Sequence, residues 1–185
     1  MDSVTDKGVI RVGDKTFRMF ISAEEIGSRV CEVAEKLNAD YADARPLLLC
    51  VLNGAFVFAA DLVRRLRFDH EIEFVRLSSY RGTDTTGKVT QVLGLTANIA
   101  GRDVIVVEDI VDTGVTLYDT LPGLTASGAR SVEVCALLSK PDKLRVPLHV
   151  KYCAMEIPSA FIVGYGMDYD GLGRNYKDIY VVERT

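Results

Sequence analysis

The run Val104-Ile-Val-Val-Glu-Asp-Ile-Val-Asp-Thr-Gly-Val-Thr116 gathers three carboxylates, two hydroxyls and a glycine behind four β-favouring apolar residues. Such a strand should deliver Glu108, Asp109 and Asp112 to one edge of a core. Acids placed there are costly unless they meet partners. Carboxylates at a strand end can accept hydrogen bonds from sugar hydroxyls or hold a hard cation. The small residues Thr113 to Thr116 then open a stretch with helical spacing at Leu117, Leu121 and Leu124. The first N–H groups of a helix lack intrahelical acceptors and carry positive partial charge, so they attract phosphate. The chemistry implied is the binding of a phosphorylated sugar.

Other segments supply the frame. Ser22-Ala-Glu-Glu25 is a capping box, followed by Ile26, Val30, Val33, Ala34 and Leu37 at helical spacing. Leu47–Leu52 is a continuous apolar run, expected of a central parallel strand covered on both faces. Asn53-Gly54 punctuates it, and 55–66 reads as a helix. Glu71–Leu77 and the runs 104–107, 132–138 and 161–163 read as further strands. The polar stretch 78–90 reads as a long loop. Pro122 predicts a kink or a shortening of the helix after Thr116. Strands alternating with helices make a mainly parallel sheet, whose ligands sit at the carboxyl ends of the strands. Asn53-Gly54, Glu108-Asp109 and Lys140 all fall there.

Gly82-Thr-Asp-Thr-Thr-Gly-Lys88 fits most of a P-loop pattern, but Val89 stands where a magnesium-binding hydroxyl is required, and no helical pattern comes after it. A P-loop hydrolase is rejected on that ground.

The signature from Glu108 to Thr116 resembles the phosphoribosyl-diphosphate (PRPP) motif of the type I phosphoribosyltransferases. From about Leu47 to Arg174 the chain is similar to the hypoxanthine-guanine branch of that family. The resemblance implies an α/β fold with a mainly parallel central sheet flanked by helices and a small hood made from the terminal segments. It implies Mg²⁺-dependent transfer of the 5-phosphoribosyl group from PRPP to hypoxanthine or guanine, giving IMP or GMP and diphosphate. On this likeness Glu108 and Asp109 hold the ribose hydroxyls, while Asp112, Thr113, Gly114, Val115 and Thr116 form the ribose-phosphate turn. Asp112 is the general base. Asn53, Gly54 and Arg174 face the diphosphate. Lys140 reads the purine's 6-oxygen, Phe161 stacks on the base, Ile162 meets its edge through the main chain, and Asp168 lies near the base and a second magnesium. Glu108, Asp109 and Asp168 are the implied metal ligands, and Ser79-Tyr80 begin a flap. Two positions depart from the pattern: Asn53 stands where family members usually carry lysine, and Val115 where some relatives do.

Composition sets the outer bounds. At 185 residues, 48% hydrophobic and 26% charged, the chain is expected to form one domain over 1–185 with a proper core. A net charge of −4 argues against a nucleic-acid footprint. The apolar runs are strand-sized, too short to span a bilayer, and the first residues show no export signal. A cytoplasmic enzyme, dimeric or tetrameric like its relatives, is expected. Cys31, Cys50, Cys135 and Cys153 form no Cys-x-x-Cys pair and read as free thiols; His70 and His149 stand alone. Two other readings use the same fold: a PRPP-sensing regulator, against which Asp112, Lys140, Arg174 and the acidic balance speak, and a transferase for another base such as xanthine or a pyrimidine.

Overall fold

The structure, a computed structural model, describes residues 8–80 and 89–183. The central sheet is built from β3 (Leu47–Val51), β4 (Glu71–Tyr80), β5 (Val89–Leu93), β6 (Asp103–Val111), β7 (Ser131–Ser139) and β8 (Tyr152–Glu156). Its spatial order is β5-β4-β3-β6-β7-β8, parallel throughout except for β5, which runs antiparallel to β4 at one edge. β3 is buried along its whole length, as its unbroken apolar sequence requires.

Helices cover both faces. α1 (Ala23–Asp40) and α2 (Phe56–Val63) pack on the side of Leu48, Cys50, Ile105, Val107 and Leu137. α3 (Val115–Ala126) covers the side of Leu47, Leu49, Val104, Val106 and Ala136, through Leu117 and Leu124. The Ser22 hydroxyl accepts the Glu25 N–H at 3.2 Å, as the capping sequence predicts. α3 continues through Pro122 to Ala126, so the expected shortening does not occur; the ring costs the helix only the N–H that the Tyr118 carbonyl would have received. No helix among the described residues is long and apolar enough to cross a membrane.

The chain ends form a second, antiparallel sheet: β1 (Val9–Val12), β2 (Lys15–Ile21), β10 (Ile179–Val182) and β9 (Ile162–Val163), in that order. This is the hood. Ile10, Val12, Phe17, Val163 and Tyr180 make its small core. Asp178 fastens it to the body: its Oδ1 accepts the Ala23 N–H at the start of α1 at 2.7 Å, and its Oδ2 accepts the Tyr180 hydroxyl at 3.3 Å.

The elements differ from the sequence reading in several places: the helix expected over 55–66 spans Phe56–Val63, and the hood strands β1, β2 and β10 are not among the expected strands. The strand expected over 104–107 runs to Val111, because β7 keeps pairing with it (Ile110↔Leu138, Val111↔Ser139) after its pairing with β3 stops at Val107. The strand expected over 161–163 is β9, and it belongs to the hood. β8 has no counterpart among the expected strands. The loop expected over 78–90 begins and ends as a hairpin, with Ser79 opposite Thr90 and Tyr80 opposite Val89. Backbone pairing there overrides polar composition. Residues 81–88 lie outside the described residues, and with them most of the P-loop-like run. Strand β5 comes directly after that run where a P-loop would open a helix, in keeping with its rejection.

Removing the Asp178 carboxylate leaves the first turn of α1 with an unanswered N–H. Asp178→Ala should cost about 1–2 kcal/mol, lowering the melting temperature by about 2–4 °C per kcal/mol, while Asp178→Asn keeps most of the stability. An unchanged thermal midpoint in Asp178→Ala would show that Ser22 caps the helix unaided.

Candidate active site

Asp112, Thr113 and Gly114 form the turn between β6 and α3, and Gly114 occupies the helix N-cap at φ +74°. That left-handed backbone suits glycine, and a Cβ there would also press on Leu144, Leu148 and Val146 at 3.1–3.3 Å. No side chain caps α3, so its leading N–H groups remain open toward a cleft of about 230 Å³. Glu108, Asp112, Thr113, Gly114 and Thr116 line the cleft, with Val51 and Leu77 as its apolar wall. Val115 begins the helix.

Glu108 and Asp109 lie in the last part of β6, where β3 no longer flanks it. Burial first, then the charge of adjacent Asp109, pushes the Glu108 carboxyl well above the ordinary carboxylate range. The Asp109 N–H donates to Glu108 Oε1 at 3.2 Å, and Asp109 Oδ1 accepts the Ile110 N–H at 2.7 Å.

Lys140 is 4% exposed and directly follows β7. Its Nζ stands 2.8 Å from Asp112 Oδ2, and Lys143 Nζ lies 3.3 Å from the same oxygen. Burial alone would raise the Asp112 carboxyl; the hydrogen bond and charge of Lys140, then those of Lys143, outweigh it and hold the group below its usual value. The sequence reading gives Asp112 and Lys140 separate tasks. Here each occupies the other.

A second pocket, about 210 Å³, joins this pair to Phe161, Ile162, Met167, Asp168 and Asp109. Phe161 precedes β9 and is 46% exposed. Asp168 is turned onto Arg174: Arg174 Nη2 lies 2.7 Å from Asp168 Oδ1, and Nη1 donates to the Gly166 carbonyl at 2.7 Å.

The Asn53-Gly54 loop follows β3 after a cis Leu52–Asn53 peptide bond. Gly54 lies flat against Asp109: a Cβ would stand 1.5 Å from Asp109 Oδ2. On its other side Gly166 is equally close, since a Cβ there would come within 2.2 Å of the Gly54 carbonyl. Asn53 is exposed, and its Oδ1 accepts from Arg76 Nη2 at 3.3 Å, so a guanidinium stands beside the position where a lysine is usual.

Most residues named from sequence thus gather at the carboxyl ends of β3, β6 and β7, and Phe161, Ile162, Met167 and Asp168 meet them around the second pocket. Ser79 and Tyr80 end β4; the flap reading otherwise falls on residues outside those described. Sequence reasoning missed Lys143, Arg76 and Met167. Lys143 had a signal in its spacing from Lys140 across Pro141, whereas Arg76 and Met167 are brought in only by the fold.

Among the described residues no three His, Cys, Asp or Glu side chains converge on a single metal position, which leaves Glu108 with Asp109 and, apart from them, Asp168 as separate carboxylate positions. Asp168 is engaged by Arg174 and by the Gly171 N–H, which donates to its Oδ2 at 2.7 Å. The oxygens are nonetheless hard donors of the kind magnesium takes. Magnesium is commonly held by one or two carboxylates, with substrate phosphates and waters completing its octahedron. The residues fit an ion shared with a phosphorylated ligand.

Comparison with known proteins agrees with this geometry. The family model for the phosphoribosyl transferase domain matches residues 22–170. The hypoxanthine-guanine-xanthine phosphoribosyltransferase of Tritrichomonas foetus is 36% identical over 173 residues, covering 93% of this chain and 94% of that one. The hypoxanthine phosphoribosyltransferase of Buchnera aphidicola is 39% identical over 157 residues, covering 83% and 89%. A crystal structure of a Bacillus anthracis hypoxanthine-guanine phosphoribosyltransferase superposes with a TM-score of 0.80 at 36% identity, covering 90% of this chain and 96% of that one.

The raised Glu108 carboxyl has a consequence for stability. It holds its proton more tightly folded than unfolded, so its contribution is full below the unfolded pKa and is lost as pH rises through the folded pKa. In metal-free protein, Glu108→Gln should melt a few degrees above the parent at pH 8 and level with it near pH 4. Equal midpoints at pH 8 would show that the carboxylate is not strained there.

Proposed function

This chain belongs to the phosphoribosyltransferase family and is an enzyme of it; from that premise we propose that it transfers the 5-phosphoribosyl group of PRPP to hypoxanthine or guanine, releasing diphosphate and the purine nucleotide. The observation that carries the base assignment is the pocket that sets buried Lys140 beside Asp112, Phe161 and Ile162. A lysine has donors only, so its ammonium suits a 6-oxopurine and repels the amino group of adenine. Phe161 offers an open aromatic face for stacking, and Ile162 a backbone for the base edge.

The sugar-phosphate half of the reading rests on the turn 112–116. Open N–H groups at the start of α3 receive the 5′-phosphate, and Glu108 and Asp109 accept from the ribose hydroxyls. Gly54 and Asn53 present the loop that meets the diphosphate, with Arg174 as a planar donor suited to two phosphate oxygens. Magnesium, when bound, would neutralise charge building on the leaving diphosphate; Glu108 and Asp109 would hold one ion and Asp168 a second. Flap closure from Ser79-Tyr80 keeps water from the reacting carbon.

Asp112 takes the proton from the imidazole ring of the purine as the new bond forms. At rest Lys140 lowers its basicity. A 6-oxo group competes for the ammonium's donors, so an arriving hypoxanthine loosens the pair and makes Asp112 a stronger base. Substrate recognition and base activation thereby share one contact. The resemblance to the family further implies a cytoplasmic homo-oligomer.

Two measurements test this. With PRPP and Mg²⁺, hypoxanthine or guanine should turn over and adenine should not, and excess EDTA should abolish the activity until Mg²⁺ or Mn²⁺ is restored. Adenine used as readily as hypoxanthine would overturn the role of Lys140. Asp112→Asn should lower kcat by about 10²- to 10⁴-fold with a far smaller change in PRPP affinity; undiminished kcat would remove Asp112 from the base role.

A further inference from the structure

We propose that Tyr169 is a positioning residue for purine binding, and that the hood turn Gly13-Asp14-Lys15 clamps its ring against Phe161. The inference rests on the reading of Phe161 as the stacking surface for the base. An aromatic ring that is 46% exposed at the rim of a pocket stacks well only if something holds its plane before the ligand arrives. Two rings do so. The fully buried Phe17 lies behind it with centroids 6.2 Å apart, and Tyr169 meets it edge to face at 5.8 Å and 84°. The second arrangement matches the favourable quadrupole geometry of aromatic pairs.

Tyr169 is itself only partly buried. Its own turn, closed by reciprocal 3.0 Å hydrogen bonds with Leu172, fixes its backbone but not its ring. The ring is fixed from the hood, by three consecutive residues. Gly13 lies against it, so that a Cβ there would stand 3.3 Å from Tyr169 Cε1. Asp14 Oδ1 accepts its hydroxyl at 2.6 Å. Lys15 Nζ sits 4.8 Å above its centroid, within cation–π range. The hydroxyl is also the leading cause holding the Asp14 carboxyl below its ordinary value. The turn is short because Gly13 takes φ +59° between Val12 and Lys15, which pair directly. One tight hairpin thus grips the edge, the hydroxyl and the face of a single ring, and that ring braces Phe161.

The clamp belongs to the base side of the site. Asp14 and Lys15 line neither the Asp112–Thr116 cleft nor the base pocket, so they should act on the purine only through Tyr169.

Steady-state kinetics with both substrates varied separate this role from a structural one. Asp14→Ala and Tyr169→Phe should each raise the KM for hypoxanthine by about 3- to 10-fold, the scale of one aromatic contact, with the KM for PRPP and the melting temperature essentially unchanged. The double variant should be no worse than the poorer single one, because both remove the same bond. Asp14→Asn keeps an acceptor and should recover most of the affinity. Phe161→Leu is the reference. If it raises the hypoxanthine KM while the Asp14 and Tyr169 variants do not, the clamp is refuted and the stacking role stands. If Phe161→Leu itself leaves that KM unchanged, both fall. A rise in both KM values together with a lower melting temperature would mean that the contact serves folding, and would also overturn the proposal.

Discussion

A buried ammonium needs a negative partner, and much of the catalytic end of this protein is set by where Lys140 finds one. Desolvating a lysine is expensive unless an anion stands within contact distance. The partner is Asp112, supplied by the neighbouring parallel strand. It arrives because β6 and β7 stay in register to Val111↔Ser139, and because the Lys140 N–H donates to the Val111 carbonyl at 2.9 Å. The same register delivers the next residues, Thr113 and Gly114, to the start of α3. One ion pair therefore sets the spacing between the region proposed to meet the base and the turn proposed to meet the phosphate. It also makes the site interdependent: removing Asp112 leaves the buried Lys140 ammonium uncompensated, whereas removing Lys140 leaves Asp112 to Lys143.

The second constraint is steric. The Gly54 backbone lies between the Asp109 carboxylate and Gly166, with no room for a methyl group on either glycine. Three segments distant in sequence meet there at backbone separation: the loop after β3, the end of β6 and the segment linking β9 to Arg174. Beside this contact, Arg76 places a guanidinium next to Asn53, where a lysine is usual.

How much of this was legible in the sequence depended on range. The strand–acid–turn–helix signature at 104–116 and the capping box at Ser22 announce themselves through local spacing, and the unbroken apolar run of β3 declares a central strand. The ends of elements were less visible. β6 outlasts its apolar run because its neighbour β7 continues to pair, which no residue in β6 encodes. β5 lies at the sheet edge and begins inside the polar stretch 78–90, so its start resembles a loop. The hood strands are short and gain their order from each other, while the contacts of Asp178 with Ala23 and of Tyr169 with Asp14 each span 155 residues. Pairings between side chains were the least accessible: Asp112, Lys140, Asp168 and Arg174 were all identifiable, but their mutual engagement arises only from three-dimensional placement.

The hood carries a consequence for the order in which the molecule is made. Its second strand lies between β1 and β10, the first and last strands of the chain. On the ribosome, the six strands from Leu47 to Glu156 have all been synthesised before β9 and β10 exist. Until then the N-terminal hairpin, with Phe17 in it, has no β10 to pair with. Phe161 and Tyr169 come next: the Val182 N–H of β10 donates to the Phe161 carbonyl at 2.9 Å, while the hairpin already made holds Tyr169 through Asp14. The Phe161 side of the site is thus the last to have all its parts, and it joins strands made at opposite ends of synthesis.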